Sequence, residues 1–205
     1  MHKKRYLHII TVLFYFFFSF PAICQEVSSD NTFNPSDIGL YDGNGFQGSV
    51  ISRFAAQPDG KTLVAGAFNR YNSLEKHDIV RLNVDRTIDN SFNVPSQGFN
   101  NDIHGIIVQP DGKIVVGGTF TTYGATSCKY IIRLNSDGSV DNTFNVGTGF
   151  NADVRGLEAQ PDGKILVIGS FTSYNGTTSN RIIRLNSDGT IDNTFNIGTG
   201  FDNNA

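Results

Sequence analysis

Apolar and polar positions along the chain alternate in short runs and do not follow the three-and-four rhythm of a helix. Ile51 to Gln57, Ile103 to Gln109 and Val154 to Gln160 put Phe54, Ile106 and Leu157 in one register, with Ala56, Val108 and Ala159 two places on. A two-residue step is strand periodicity. Each run stops at Pro-Asp-Gly, which combines a fixed φ, an Asx-turn former and a residue free to take positive φ, and so predicts a hairpin. A second strand is expected at Thr62 to Phe68, Ile114 to Phe120 and Ile165 to Phe171. After a connection of constant length a third follows at Ile79 to Asn83, Ile131 to Asn135 and Ile182 to Asn186. Ser-Asp-Gly at 136–138 and 187–189 predicts another turn into a weak fourth strand ending in Phe-Asn. Val84-Asp85-Arg86 stands there in the first copy, and without Gly a different turn geometry is expected.

The pattern is a repeat. Gln-Pro-Asp-Gly-Lys recurs at Gln57, Gln109 and Gln160, Asp-Asn-Thr/Ser-Phe-Asn at Asp30, Asp89, Asp141 and Asp192, and Gly-Phe at Gly45, Gly98, Gly149 and Gly200. Four short antiparallel strands in each copy of about 51 residues match a propeller blade. The fold expected is all-β, a β-propeller-like array of about three four-stranded antiparallel blades. Repeat 1 covers 45–97, repeat 2 98–148, repeat 3 149–199, and 200–205 starts a fourth; 25–44 is an entry segment holding the insertion Pro35 to Asn44. Propellers close with four to eight blades, so an incomplete propeller, completed by further blades from the same or another chain, is the expectation. Every Phe outside the first 20 residues lies in a repeated register, and all of these, Phe54 included, are expected in the shared core.

Composition narrows the function. With 22 Gly and 17% charged residues the 205-residue chain is no coiled coil, and 39% hydrophobic residues are too many for disorder. Basic His2-Lys3-Lys4-Arg5, an apolar run from Tyr6 to Phe20 and a small-residue site ending at Cys24 read as a signal peptide over 1–24. The run is too short for a membrane span, so none is expected after cleavage. The remainder carries 13 basic and 19 acidic residues, a net −6 that offers nothing to nucleic acid. Its lone Cys128 forms neither an internal disulfide nor a zinc site.

The unit running from Gln-Pro-Asp-Gly-Lys through Ile-Ile-Arg-Leu-Asn-Ser-Asp-Gly and Asp-Asn-Thr-Phe-Asn to Gly-Thr-Gly-Phe resembles the delta-60 repeat of bacterial exported proteins, closely over Gln57 to Phe201. The resemblance implies a propeller-like domain of a secreted or cell-surface protein and brings no catalytic residues.

Candidate chemistry is sparse. Gly43 to Gly48 spells Gly-x-Gly-x-x-Gly but runs into strand-type sequence, not a helix, and so cradles no phosphate. Asn135, Asp137, Gly138 and Asp141, like Asn186, Asp188, Gly189 and Asp192, approach a calcium loop, with Arg133 and Arg184 where the first oxygen ligand belongs. No metal or cofactor is therefore expected. His77 and His104 lack a patterned nucleophile, and their counterparts are Lys129 and Asn180, and Ser52 and Arg155. Tyr71, Tyr123 and Tyr174 open three connections that differ in sequence on a constant scaffold, which makes them candidate ligand-binding loops; a ring packed inside the blade is the competing reading. The expected function is non-enzymatic surface interaction or scaffolding with an extracellular protein or glycan. The alternative is a module that binds or degrades extracellular polysaccharide, which the absence of Trp disfavours.

Overall fold

The computed structural model describes residues 45–196 and 198–201. The signal segment, Phe33, the insertion and the first two residues of the Gly-x-Gly-x-x-Gly string lie outside them. Every regular element among the described residues is a strand. Blade 1 consists of β1 (Phe46–Ala56), β2 (Thr62–Tyr71), β3 (Leu74–Glu75) and β4 (Ile79–Leu82); blade 2 of β5 (Ile103–Val108), β6 (Ile114–Gly118), β7 (Thr122–Tyr123), β8 (Thr126–Ser127) and β9 (Ile131–Leu134); blade 3 of β10 (Val154–Ala159), β11 (Ile165–Gly169), β12 (Ser173–Tyr174), β13 (Thr177–Thr178) and β14 (Ile182–Leu185). Each blade is an antiparallel sheet in chain order: β1-β2-β4, β5-β6-β9 and β10-β11-β14. Its fourth position is held by a single bridge, Leu82 to Ile88, Leu134 to Val140 or Leu185 to Ile191. The connection between second and third strands carries a small hairpin, β7-β8 in blade 2 and β12-β13 in blade 3.

The Pro-Asp-Gly turns form as expected. In blade 2 Gly112 N donates to Gln109 O at 2.9 Å, Gln109 N to Lys113 O at 2.8 Å, and Lys113 N to Asp111 Oδ1 at 3.1 Å. Gly112 sits at φ +82°, where a Cβ would be strained. The turn at Val84-Asp85-Arg86 departs from expectation by keeping the geometry of the others. Arg86 N donates to Asn83 O at 2.9 Å and Asn83 N to Thr87 O at 2.8 Å, the bonds that Gly138 and Asn135 make in blade 2. Arg86 accepts φ +71° because the turn is over-determined: Asp85 Oδ1 takes Thr87 N and Oγ1, and Arg86 O takes the Tyr71 hydroxyl at 2.9 Å.

Packing runs from blade to blade. The first strands β1, β5 and β10 lie side by side, and blade 2 turns one face to blade 1 and the other to blade 3. Leu63, Ala65, Ile79 and Phe92 of blade 1 join Ile106, Val116, Phe120, Ile132 and Leu134 of blade 2 in one buried cluster. Val115, Ile131 and Phe144 of blade 2 join Val154, Val167, Phe171 and Ile183 of blade 3 in the next. Phe54 and Phe201 correct the sequence expectation, being 75% and 52% exposed, whereas Ile106, in the register of Phe54, is 7% exposed. That register packs on the preceding blade, and no described blade precedes the first.

Candidate axial site

The innermost strands carry a register in which the repeat does not repeat. Ser52, His104 and Arg155 are equivalent residues on β1, β5 and β10. Between blades 1 and 2, at the end where the hairpin connections lie, Val50, Ser52, Ala67, Asp102, Ile103 and His104 line a cleft of about 440 Å³. Ser52 Oγ donates to Ile103 O at 2.8 Å, which ties the two first strands together. On blade 3, Arg155 Nε pairs with Asp153 Oδ2 at 3.0 Å and Ser170 Oγ meets the same oxygen at 3.3 Å. These bonds, with Arg155 itself, hold the Asp153 carboxyl below its ordinary range against the opposing effect of burial. The opposite end of the array has a second opening of about 410 Å³, where Ala56-Gln57-Pro58, Val108-Gln109-Pro110 and Ala159-Gln160-Pro161 converge. Gln109 is committed there, accepting from Arg133 Nη1 at 3.1 Å and donating to Ser187 O at 3.2 Å. Gln57 Oε1 is a buried oxygen without a partner among the described residues.

The strongest electrostatic features are structural. In blade 2, Asp141 Oδ2 takes Arg133 Nε at 2.7 Å and Lys113 Nζ at 3.0 Å, while Oδ1 takes Thr143 N and Oγ1. The guanidinium lies 4.7 Å from the Phe144 ring centroid and reaches Ser187 O in the next blade through Nη1. Blade 1 repeats this with Arg81, Asp89, Lys61, Phe92 and Ser136 O; blade 3 repeats its internal part with Arg184, Asp192, Lys164 and Phe195. Burial raises the Asp141 carboxyl, but Thr143, Lys113 and Arg133 together outweigh it and hold the group well below the usual carboxylate range. For Asp89 and Asp192 the leading cause of the same downward shift is the Ser91 or Thr194 hydroxyl. The arginine in the place of a calcium ligand thus neutralises the loop's last carboxylate. Among the described residues no three His, Cys, Asp or Glu gather as a metal site.

A domain of unknown function classed as a β-propeller, DUF5122, matches residues 57–92, 109–144 and 160–195, more than half of the chain. The chain belongs to this β-propeller family. No curated protein matches it significantly. Among solved structures it is similar, at 16% identity and a TM-score of 0.38, to a protein described as a candidate gluconolactonase; 72% of this chain is covered and 49% of that one, so the chain spans about half the length of that structure.

Within the DUF5122 repeat the three tyrosines have one common setting. Tyr71, Tyr123 and Tyr174 are buried, with rings 4.4–4.6 Å from Phe46, Phe99 and Phe150. Their hydroxyls donate to Arg86 O, Gly138 O and Gly189 O at 2.9, 3.0 and 2.7 Å. Burial raises the phenols of Tyr123 and Tyr174 well above the ordinary range. The rings brace the blade, and what faces solvent is the hairpin tips that they open, such as Leu74–Glu75 and Thr126–Ser127. Cys128 is buried beneath one tip, its thiol pushed up to about 12 by desolvation, which makes it inert. His77 Nε2 lies 3.1 Å from Glu75 Oε1 on the exposed connection of blade 1. Ser52, His104 and Arg155 belong to no catalytic motif in the sequence; what marks them is variation at one register of the first strands.

Proposed function

We propose that this DUF5122 chain, of the delta-60 type, is an exported, non-catalytic module that binds an extracellular protein or glycan at its axial face. The observation that carries the reading is the non-repeating set Ser52, His104 and Arg155, with Asp102 and Asp153 beside it, on strands that keep apolar residues in the registers of Ile51, Ile103 and Val154 and of Phe54, Ile106 and Leu157. Variation on a constant scaffold is how a binding surface is specialised. Ser, His and Asp occur together in the cleft, yet the Ser52 hydroxyl proton is spent on a backbone carbonyl, whereas an activated nucleophile would hand it to an imidazole. The basic-apolar segment over 1–24 supports export.

The full chain is screened by surface plasmon resonance against acidic and neutral bacterial polysaccharides and against purified outer-surface proteins. At least one is expected to bind with Kd below about 10⁻⁴ M and to weaken tenfold or more in Arg155→Ala. Turnover of ester, lactone or glycoside substrates that His104→Ala abolishes would overturn the non-catalytic reading. Failure of residues 1–24 to carry a reporter out of the bacterial cytoplasm would overturn export.

A further inference from the structure

The two blade-to-blade contacts share a size rule that the outer face of blade 3 inverts. At the contact of blades 2 and 3, Gly117 on β6 faces Val154 on β10: a Cβ added to Gly117 would lie 2.6 Å from Val154 Cγ1 and 3.3 Å from Leu157 Cδ1. At the contact of blades 1 and 2, the equivalent pair is Ala65 on β2 and Ile103 on β5, both in one buried cluster. A small residue on the second strand therefore meets a branched one on the next first strand. Blade 3 has Ile168 in the register of Ala65 and Gly117, and it is 45% exposed.

A blade docked there with Ile or Val in the register of Val154 would drive two branched side chains into a space that at the other two contacts holds a branched side chain and nothing larger than a methyl group. Within this chain the residue that continues that register, 51 places after Val154, is Ala205. Large and small have exchanged sides.

The polar half of the contact is also in place. Arg81 and Arg133 donate through Nη1 to Ser136 O and Ser187 O of the following blade, and Asn93 N and Asn145 N donate to Asp137 O and Asp188 O at 2.6 and 2.7 Å. The equivalent donors of blade 3 are Arg184 and Asn196. Among the described residues Arg184 Nη1 has only Gln160 Oε1, at 3.5 Å. Its side chain is 19% exposed, against 6% and 5% for Arg81 and Arg133.

We propose that the outer face of blade 3 is a docking surface for a further blade of this repeat, selected by an alanine-sized residue opposite Ile168, with a turn carbonyl for Arg184. The pairing sets which blade follows which. It rejects blade 1 of a second copy, which brings Ile51 to that position.

The full chain is extended beyond Ala205 by a copy of residues 155–200, so that residue 205 opens a fourth first strand, and Tm is measured for the extended chain, Ala205→Val, Ile168→Ala and the double variant. With Ile168 present, Ala205→Val is expected to lower Tm by 5 °C or more; in the Ile168→Ala background the same substitution is expected to raise Tm. The same sign in both backgrounds overturns the proposal. Ile168→Cys supplies a readout independent of stability: alkylation of that thiol is expected to slow at least tenfold in the extended chain, and equal rates in extended and unextended chains overturn the docking. A dimer of the unextended chain that Ile168→Asp dissociates would assign the face to a second copy and overturn the size rule.

Discussion

Asp141→Asn removes one charge and almost no volume from the network joining blades 2 and 3. The asparagine oxygen still accepts from Thr143, so the turn survives, but the group that faced Arg133 Nε at 2.7 Å and Lys113 Nζ at 3.0 Å no longer neutralises them. Arg133 is 5% exposed and cannot move its charge into water without opening the blade contact. Breaking a buried pair by removing one partner costs about 3–5 kcal/mol. Arg133 keeps Ser187 O, Gln109 Oε1 and the Phe144 ring, which places the expected loss near the lower end, at about 3 kcal/mol. For a domain of this length that lowers Tm by about 6–12 °C. The same change at Asp192 is the internal control, because Arg184 is 19% exposed and water can take over part of the lost partner's work, so the loss there is smaller. Urea melts at pH 7 followed by circular dichroism give both values. A loss below about 1 kcal/mol at Asp141, or one no greater than at Asp192, would refute the reasoning.

Phe120→Ala and Phe171→Ala empty fully buried sites and are expected to cost about 3–5 kcal/mol each by urea melts; less than about 1 kcal/mol at both would contradict the shared core. Arg86→Gly relieves a side chain held at φ +71° and is expected to stabilise by about 0.5–1 kcal/mol, read as a rise in the urea midpoint; a fall would show that the arginine side chain matters more than the strain. Asp89, Asp141 and Asp192 all titrate below their unfolded value of about 4, so their stabilisation is complete above that pH and is lost progressively as pH falls through it toward their folded values. Stability measured from pH 7 downward is expected to drop steeply below about pH 4, and a gain between pH 5 and pH 3 would reverse the sign.

Alternation and Pro-Asp-Gly specify the strands, the turns and the blade unit because both are local: each acts through neighbours a few residues away. Even there tertiary bonds overrode one local rule, since Arg86 is forced into a glycine conformation by Tyr71 and Thr87. Direction and partnership come from contacts between blades. Alternation says that Phe54 and Ile106 share a face of the strand, but whether that face is covered depends on a neighbouring blade, so one is exposed and the other buried. The sequence left the tyrosines between a loop-facing and a packed reading; the aromatic contact with the preceding Gly-Phe pair and the carbonyl 15 residues ahead place them inside. Arg133 and Asp141 are eight residues apart and carry no pairing signal in one dimension; the bridge from Leu134 to Val140 brings them face to face. The axial set of Ser52, His104 and Arg155 is spread over about a hundred residues, and only the stacking of first strands side by side makes it one surface.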